Sequence, residues 1–466
     1  MKPQNNISKQ ELFEKVPVPK ALSTLAIPTI ISQIISLVYN MVDAFFIGRT
    51  GNSYMMAATS LTLTLVVMTV AFANLFGIGG GSLMARLIGR QDPQGARRVS
   101  AFSFYGAIGI ALLYGLLIGL FLNPILMAMG ASAETLGYAR QYTLLVLVCG
   151  CVPSILSSTV AHMLRNVGCA RQASFGLSSG GILNMFLDPL FMFVLLPEGY
   201  EVAGAALATL LSNIFSCAYL LMAFRKAAAT APLSVRLSDA KAIGRENLRG
   251  LFAVGVPSAI LTGLFDLANV VVNILAAAHS DMVLAAMGIV MKIERIPNAV
   301  NIGICQGMLP IVAYNFSSGN RERMQETIRT ARIWGLTISA VSILLLELFA
   351  APITNLFLST SSGADPAAAL ITVGFAALFL RMRCLASPVQ FLNYHTSYCM
   401  QAMGNGKGTM LHAVVRELIF YIPLLFIMDR LWGENGLGLA LLVGEGLSAV
   451  FALWLLNRVL KQRKTA

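Results

Sequence analysis

Twelve long apolar runs, separated by short polar segments, are the feature that most limits what this chain can fold into. A run of about 20 apolar residues is long enough to cross a bilayer as a helix, and only helices or closed barrels satisfy their backbone groups in lipid. The chain has 466 residues, of which 57% are hydrophobic and only 12% charged. These values predict an all-α, polytopic membrane protein. The predicted spans, numbered 1 to 12 in chain order, lie at 22–47, 56–85, 99–122, 136–160, 173–196, 203–224, 250–277, 283–313, 333–357, 370–400, 409–428 and 437–457.

The basic residues predict an orientation rather than a nucleic-acid partner. The net charge is +12, but the 33 Lys and Arg residues are spread over short loops between apolar runs. Most lie in the N-terminal tail and after even-numbered spans, whereas the opposite loops hold Arg49, Arg140 and Arg430. Because cytoplasmic loops carry the excess of Lys and Arg, both termini are predicted to be cytoplasmic. The polar N-terminal segment does not have the pattern of a secretory signal peptide.

An internal repeat divides the chain into two pseudo-symmetric six-helix lobes. The longest polar stretch lies between spans 6 and 7, and Pro28 and Asn40 of span 1 recur at the same offset as Pro257 and Asn269 of span 7. In membrane proteins built from such repeats, a substrate site is expected near the interface between the repeats. The predicted divisions are a tail at 1–21, an N-lobe at 22–224, a linker at 225–249, a C-lobe at 250–457 and a tail at 458–466.

Polar side chains recur at helical spacing within several spans. Steps of three and four residues place them on one face of each helix, and polar groups at membrane depth normally face a bundle interior or an aqueous cavity. These stripes predict a polar-lined cavity between the lobes. The candidate cavity residues are Gln33, Ser36 and Asn40 of span 1, Thr262, Asp266, Asn269 and Asn273 of span 7, and Gln390 of span 10.

Two intramembrane carboxylates, Asp43 and Asp188, are the strongest functional candidates. Burial and a neighbouring carboxylate both favour the neutral form of such a group, so the pair is suited to exchanging a proton. With Asn184 four residues before Asp188 and Thr209 in the next span, the same oxygens also suit a hard monovalent cation. The structural alternative is that Asp188 only satisfies backbone groups freed by the proline that follows it.

Several other features receive structural interpretations. Pro28 within span 1 is either a fixed kink or a hinge, and we predict a hinge. Glu294 is expected to form a structural charge pair with its neighbours Arg295 or Lys292, and Glu417 with Arg416. No disulfide, metal site or cofactor is expected from the seven scattered cysteines and four histidines. An intramembrane hydrolase using Ser82 and His162 is a weak alternative, and no enzyme activity is expected.

Four segments resemble the multidrug and toxic compound extrusion (MATE) family, in its prokaryotic branch with an acidic residue in the first helix. The segments are IPTIISQIISLVYNMVDAFFIGRTG, GRQDPQGARR, GGILNMFLDPLFMF with GAALATLLS, and GICQGMLPIVAYNFSSGN. The resemblance implies an antiporter of twelve helices in two lobes, which exports drugs or organic cations in exchange for H⁺ or Na⁺ by alternating access. It also implies a multi-pass protein of the prokaryotic inner membrane, whose partners are small amphipathic or cationic molecules and membrane lipid, and not nucleic acid. A monomer is expected.

The resemblance also implies site residues. It assigns cation and proton coupling to Asp43, Asp188, Asn184, Tyr39 and Thr209, with Na⁺ possible at Asn184, Asp188 and Thr209. The main alternative is a flippase for a lipid-linked precursor in the same wider superfamily, for which Arg381 and Arg383 of span 10 would supply cations. A passive channel is a further alternative.

Overall fold

The computed structural model describes residues 9–359 and 366–462, and within these ranges the chain is helical with no β-strand. Ten helices are long and apolar enough to cross a membrane, and two bent helix pairs bring the number of spans in the described ranges to twelve. The predicted all-α, twelve-span fold is therefore confirmed. The observed spans are Val18–Arg49, Ser53–Gly89, Pro93–Leu120, Ala133–Cys149 with Cys151–Asn166, Ala170–Leu195, Glu201–Ala228, Arg245–His279, Asp281–Ser318, Arg321–Asn355, Leu370–Cys384 with Ser387–Ala402, Gly406–Trp432 and Glu434–Lys461.

Spans 4 and 10 are broken, although the sequence predicts continuous helices. Span 4 bends by 50° at Gly150, directly after a π-helical turn at Leu144–Cys149. Span 10 bends by 49° just before Ser387–Ala402, which has Pro388 in its first turn. Both sites fit known causes of bending, because a π-helical turn shifts the hydrogen-bond register and proline lacks the N–H that would continue it.

Buried apolar side chains form separate cores in the two halves of the chain, joined by a third. One core is drawn from residues 73–251, and another from residues 268–441. The third combines Leu22 and Ala26 of span 1 with residues of spans 8 and 10 and with Leu456 of span 12. The predicted lobe boundaries, including the linker at 225–249, remain predictions.

The two halves meet through close backbone contacts. A Cβ atom on Gly255 of span 7 would clash with the carbonyl oxygen of Leu75, and one on Gly307 of span 8 would lie 2.7 Å from Ala26 Cα. Small residues allow helix backbones to approach in this way. Spans 1 and 8, and spans 2 and 7, therefore pack backbone to backbone.

In span 1 this contact lies toward the end of the bundle at which the described chain begins and ends. Leu12 of the N-terminal helix Lys9–Glu14 and Val459 near the end of span 12 belong to the joining core. In span 1 nearly all the buried residues precede residue 33, and the farther part is mostly half-buried or exposed. The halves therefore close at one end, and span 1 is more open toward the other.

Candidate functional site

The first half contains a buried carboxylate cluster built from spans 5 and 6. Asp188 is fully buried, and its Oδ1 accepts a hydrogen bond of 3.0 Å from Nδ2 of Asn184, one helical turn earlier. The same Nδ2 lies 3.4 Å from Thr209 Oγ1. The structure therefore brings together three of the five residues assigned to cation and proton coupling.

Span 1 supplies the other two residues. Asp43 is half-buried, and its charge interacts with that of Asp188. Tyr39, one turn before Asp43, packs against span 5 at Gly181, where an added Cβ would lie 2.7 Å from the Tyr39 ring. All five predicted coupling residues thus belong to one cluster, here called the first-half cluster: Tyr39, Asp43, Asn184, Asp188 and Thr209.

Tyr142 of span 4 is a neighbour that the sequence did not single out. It is buried and interacts electrostatically with Asp43, Asp188 and Tyr39. It lies just before the π-helical turn that ends at the bend of span 4. Because that bend was not predicted, the face of span 4 that carries Tyr142 could not be oriented from spacing alone.

The first-half cluster has more hydrogen-bond acceptors than donors. Asp43 Oδ1, Asp188 Oδ2 and Asn184 Oδ1 are buried and accept no hydrogen bond from any residue in the described ranges. Buried polar atoms are usually satisfied, so such a group of oxygens indicates a place for a proton, water or a cation. No group of three or more His, Cys, Asp or Glu side chains suited to a metal ion occurs within 9–359 and 366–462. A cation here would therefore need amide and hydroxyl oxygens in addition to the two carboxylates.

The candidate cavity residues of span 1 are only partly buried. Gln33 and Ser36 are half-buried, and Asn40 is exposed while donating a 2.6 Å hydrogen bond to the Ser36 carbonyl oxygen. All three are therefore at least partly accessible. Their role as cavity residues remains a prediction.

The candidate residues of spans 7 and 10 have four different surroundings. Thr262 accepts a 3.0 Å hydrogen bond from Asn74 of span 2 and so joins the two halves. Asn269 and Gln390 line a small cavity inside the second half, and Asn273 is exposed. Asp266 is half-buried and interacts with the charge of Arg295.

The second half contains a larger buried ion-pair network, and one of its partners differs from the predicted one. Glu294 pairs with Arg383 of span 10 through two hydrogen bonds of 2.8 and 2.9 Å. The expected pairing with Arg295 or Lys292 was wrong, because both oxygens of Glu294 are bound by the guanidinium of Arg383 on a neighbouring span. Arg383 is itself buried.

The rest of the network is centred on Arg416 of span 11. Its guanidinium binds Glu445 of span 12 at 2.6 Å. Its Nε lies 3.4 Å from Glu417 Oε1, in agreement with the predicted pairing of Glu417 with Arg416. Asn393 of span 10 donates to Glu445 Oε2 at 2.6 Å and accepts from Ser448 at 3.2 Å. These groups, together with Glu294 and Arg383, are called the second-half network below.

Neither Pro28 nor Pro189 interrupts its span. Val18–Arg49 is a continuous helix that contains Pro28, so a hinge there remains a prediction. Pro189 follows Asp188 and precedes a π-helical turn at Phe191–Leu195. The backbone is therefore irregular just after Asp188, where π-helical turns are often associated with function.

Ser82 does not have the geometry of a nucleophile. It is buried, and its Oγ donates a 2.6 Å hydrogen bond to the carbonyl oxygen of Gln401 in the second half. This bond joins spans 2 and 10 at the closed end. The structure therefore does not favour the Ser82–His162 hydrolase alternative.

Comparison with known proteins identifies the family. A family model described as MatE matches residues 28–190 and 257–427, which together make up more than half of the chain. The chain belongs to the MATE family. It is therefore a membrane transporter, as the resemblance implied, and the two matched segments begin at Pro28 and Pro257, which the internal repeat relates.

Relatives and solved structures agree with this assignment. The multidrug export protein MepA of Staphylococcus aureus (strain MRSA252) is 30% identical over 455 residues, covering 97% of this chain and 96% of MepA. MepA of Staphylococcus saprophyticus is 28% identical over the same share of both chains. An outward-facing multidrug resistance MATE transporter of the MOP superfamily superposes with a TM-score of 0.90 at 22% identity, covering 100% of both chains.

A second solved structure is similar in fold but described differently. It is a MOP superfamily transporter from Pyrococcus furiosus, whose description reports a binding pocket of reversed polarity and suggests a different function. The TM-score is 0.88 at 22% identity, covering 98% of this chain and 99% of that one. At this identity the likeness shows the fold alone, so function must be argued from the site.

Proposed function

We propose that this transporter exports drugs or organic cations across the cytoplasmic membrane in exchange for H⁺ or Na⁺, by alternating access. The MepA relatives, which are named as multidrug export proteins, support the export of drugs. The first-half cluster supports cation exchange. It is the observation that carries the proposal, because two interacting carboxylates lie at membrane depth with acceptor oxygens left free.

Cation exchange follows from the chemistry of these oxygens. Asp188 has an amide donor on one oxygen and none on the other among the residues described here. The free oxygens of Asp43, Asp188 and Asn184 can share a proton or coordinate Na⁺, and either ligand removes the cost of burying uncompensated charge. Loading the cluster therefore stabilises the arrangement of helices in which these oxygens converge.

Coupling to a drug requires that the cation and the drug prefer different arrangements of the two halves. A ligand shifts a conformational equilibrium only through its different affinities for the two states. The halves are closed at the end that contains the described chain termini, which we propose to be the cytoplasmic end. A cationic drug and the coupling cation then compete for the negative charge of the first-half cluster, and release of one accompanies binding of the other.

The flippase alternative is less well supported. It requires cations that are free to hold an anionic lipid head group. Arg383, however, is held by Glu294, and Arg381 lies 3.7 Å from Glu347. The two arginines that kept this alternative open therefore each have an acidic partner.

The test is transport by the purified full-length protein in liposomes, with ethidium as the substrate probe. An imposed pH gradient or an imposed sodium gradient should drive ethidium movement, and the effective gradient identifies the coupling ion. D43N and D188N should each reduce movement to the level of protein-free liposomes. D281N, at an exposed position in the first turn of span 8, is the matched control and should transport normally.

Two outcomes would contradict the proposal. Ethidium movement that responds to neither gradient would favour a channel or a flippase. Normal gradient-driven transport by both D43N and D188N would remove the first-half cluster from the coupling mechanism.

A further inference from the structure

The second-half network contains one more carboxylate than guanidinium. Glu294 is matched by Arg383, and Glu445 by Arg416. Glu417 has only a share of Arg416, at 3.4 Å, and its Oε1 is buried without a hydrogen bond from any side chain or backbone group in the described part of the chain. An uncompensated buried carboxylate is costly unless it takes up a proton or a cation.

Glu417 also lines a space large enough for a water molecule. It lines a cavity of about 40 Å³ together with Glu294, Arg295, Asn298, Arg383 and Glu445. This volume exceeds the minimum of roughly 10–15 Å³ that a water molecule requires. Arg295 lines the same cavity and is exposed, and charged groups at membrane depth normally face an aqueous space.

The local backbone is a further indication of function. Glu417 lies in a π-helical segment, Val415–Tyr421, within span 11. Such segments are rare and are frequently found at functional sites. Arg416 and Glu417 both lie in this segment, and Arg416 Nε is 3.4 Å from Glu417 Oε1. A change of charge on Glu417 therefore acts directly on the ion pair between spans 11 and 12.

We propose that Glu417 is a second proton-exchange site of this transporter, separate from the first-half cluster. A proton from water in the cavity binds the free Glu417 oxygen when the site is loaded and returns to water when it is released. Release leaves Glu417 and Glu445 to share Arg416, and loading leaves Arg416 to Glu445 alone. The titratable or charged groups around Glu417 come from four spans: Arg416 and Tyr421 of span 11, Glu445 of span 12, Glu294 and Arg295 of span 8, and Arg383 and Tyr394 of span 10 are its neighbours. Two further groups act through these neighbours: His412 of span 11 interacts with Arg416, and Asp266 of span 7 with Arg295.

Surrounding groups explain why Glu417 rather than its neighbours exchanges the proton. Glu294 accepts two hydrogen bonds from Arg383, and Glu445 accepts from both Arg416 and Asn393. These bonds favour the ionised forms of Glu294 and Glu445. Glu417 receives no comparable set of donors from the described residues.

The test is infrared difference spectroscopy of the purified full-length protein between acidic and alkaline pH. All variants carry D43N and D188N, so the result does not depend on proton exchange in the first-half cluster. This background should keep a pH-dependent band of protonated carboxyl groups, and E417Q should abolish most of it. E347Q, at a more exposed carboxylate in the same half, is the matched control and should leave the band intact.

Three results would overturn the proposal. The first is the absence of a pH-dependent carboxyl band from the protein that carries D43N and D188N alone. The second is a band of full strength in E417Q. If E417Q does not fold, E417D replaces it, because the shorter side chain keeps the carboxyl group but moves it. The third result is then a carboxyl band in E417D at the same position as in the protein with Glu417.

Discussion

The buried carboxylates of the two halves lie in opposite electrostatic surroundings. In the first-half cluster, Asp43 and Asp188 interact with each other, and Asp188 is hydrogen-bonded by an amide. In the second-half network, Glu294 and Glu445 are each bound by a buried arginine. A matched ion pair fixes a packing arrangement, whereas an unmatched carboxylate must take up a cation from solution. The difference separates groups that hold helices together from groups that bind and release an ion.

The largest expected effect is a loss of folding stability when the matched Glu294–Arg383 pair is broken. R383M leaves Glu294 buried without its guanidinium, and removing one partner of a buried pair typically costs about 3–5 kcal/mol. R383M/E294M should recover most of this loss, because no charge is then left unpaired. Unfolding of the purified variants in detergent measures both effects. A single variant as stable as the parent would show that this pair does not hold spans 8 and 10.

A smaller effect is expected on cation affinity when the amide of the first-half cluster is removed. N184A deletes the 3.0 Å hydrogen bond to Asp188, and hydrogen bonds to charged groups are worth about 1.5–3 kcal/mol. The pH or sodium dependence of ethidium transport should therefore shift by roughly tenfold or more in ion concentration. S179A, which removes a hydroxyl bonded within the same span, is the control. Equal shifts in the two variants would argue against a role for Asn184.

Thr209 should matter less than Asn184. Its oxygen lies 3.4 Å from Asn184 Nδ2, beyond the usual hydrogen-bond distance. T209V keeps the shape of the side chain and should shift the same ion dependence by less than N184A does. A larger shift in T209V would mean that the hydroxyl binds the ion directly.

The smallest effect is expected on the stability of the first-half cluster itself. D43N/D188N removes two carboxylates that have no cationic partner in the described cluster. Replacing them with neutral amides removes uncompensated charge, so the thermal unfolding temperature should stay the same or rise. The same measurement on R383M provides the contrast. A marked fall in D43N/D188N would mean that these carboxylates are structural.

The sequence predicted the spans well because lipid imposes length and polarity on each one. It also singled out Asp43 and Asp188, since a carboxylate within an apolar run stands out without any knowledge of its neighbours, and their role in coupling stays a prediction. It did not predict the Glu294–Arg383 pair, whose members lie 89 positions apart. Adjacency along the chain pointed to Arg295, but the pair that forms depends on how spans 8 and 10 pack against each other, which the sequence does not show.

The bends in spans 4 and 10 were missed for a related reason. Pro388 was visible in the sequence, but proline is common in membrane helices and does not always break them, as the continuous helix through Pro28 illustrates. Whether a span bends depends on the neighbours that satisfy the freed backbone groups. Tyr142 was missed with the bend of span 4, because its position beside Asp43 depends on that geometry.

The most direct test of the first-half cluster is to follow ion release while ethidium is added to the purified full-length protein in weakly buffered detergent. A pH-sensitive dye and a sodium electrode report which ion leaves. The account predicts that ethidium binding releases H⁺ or Na⁺ from the parent protein and that D43N/D188N abolishes this release. Unchanged release in D43N/D188N, or ethidium binding to the parent with release of neither ion, would contradict it.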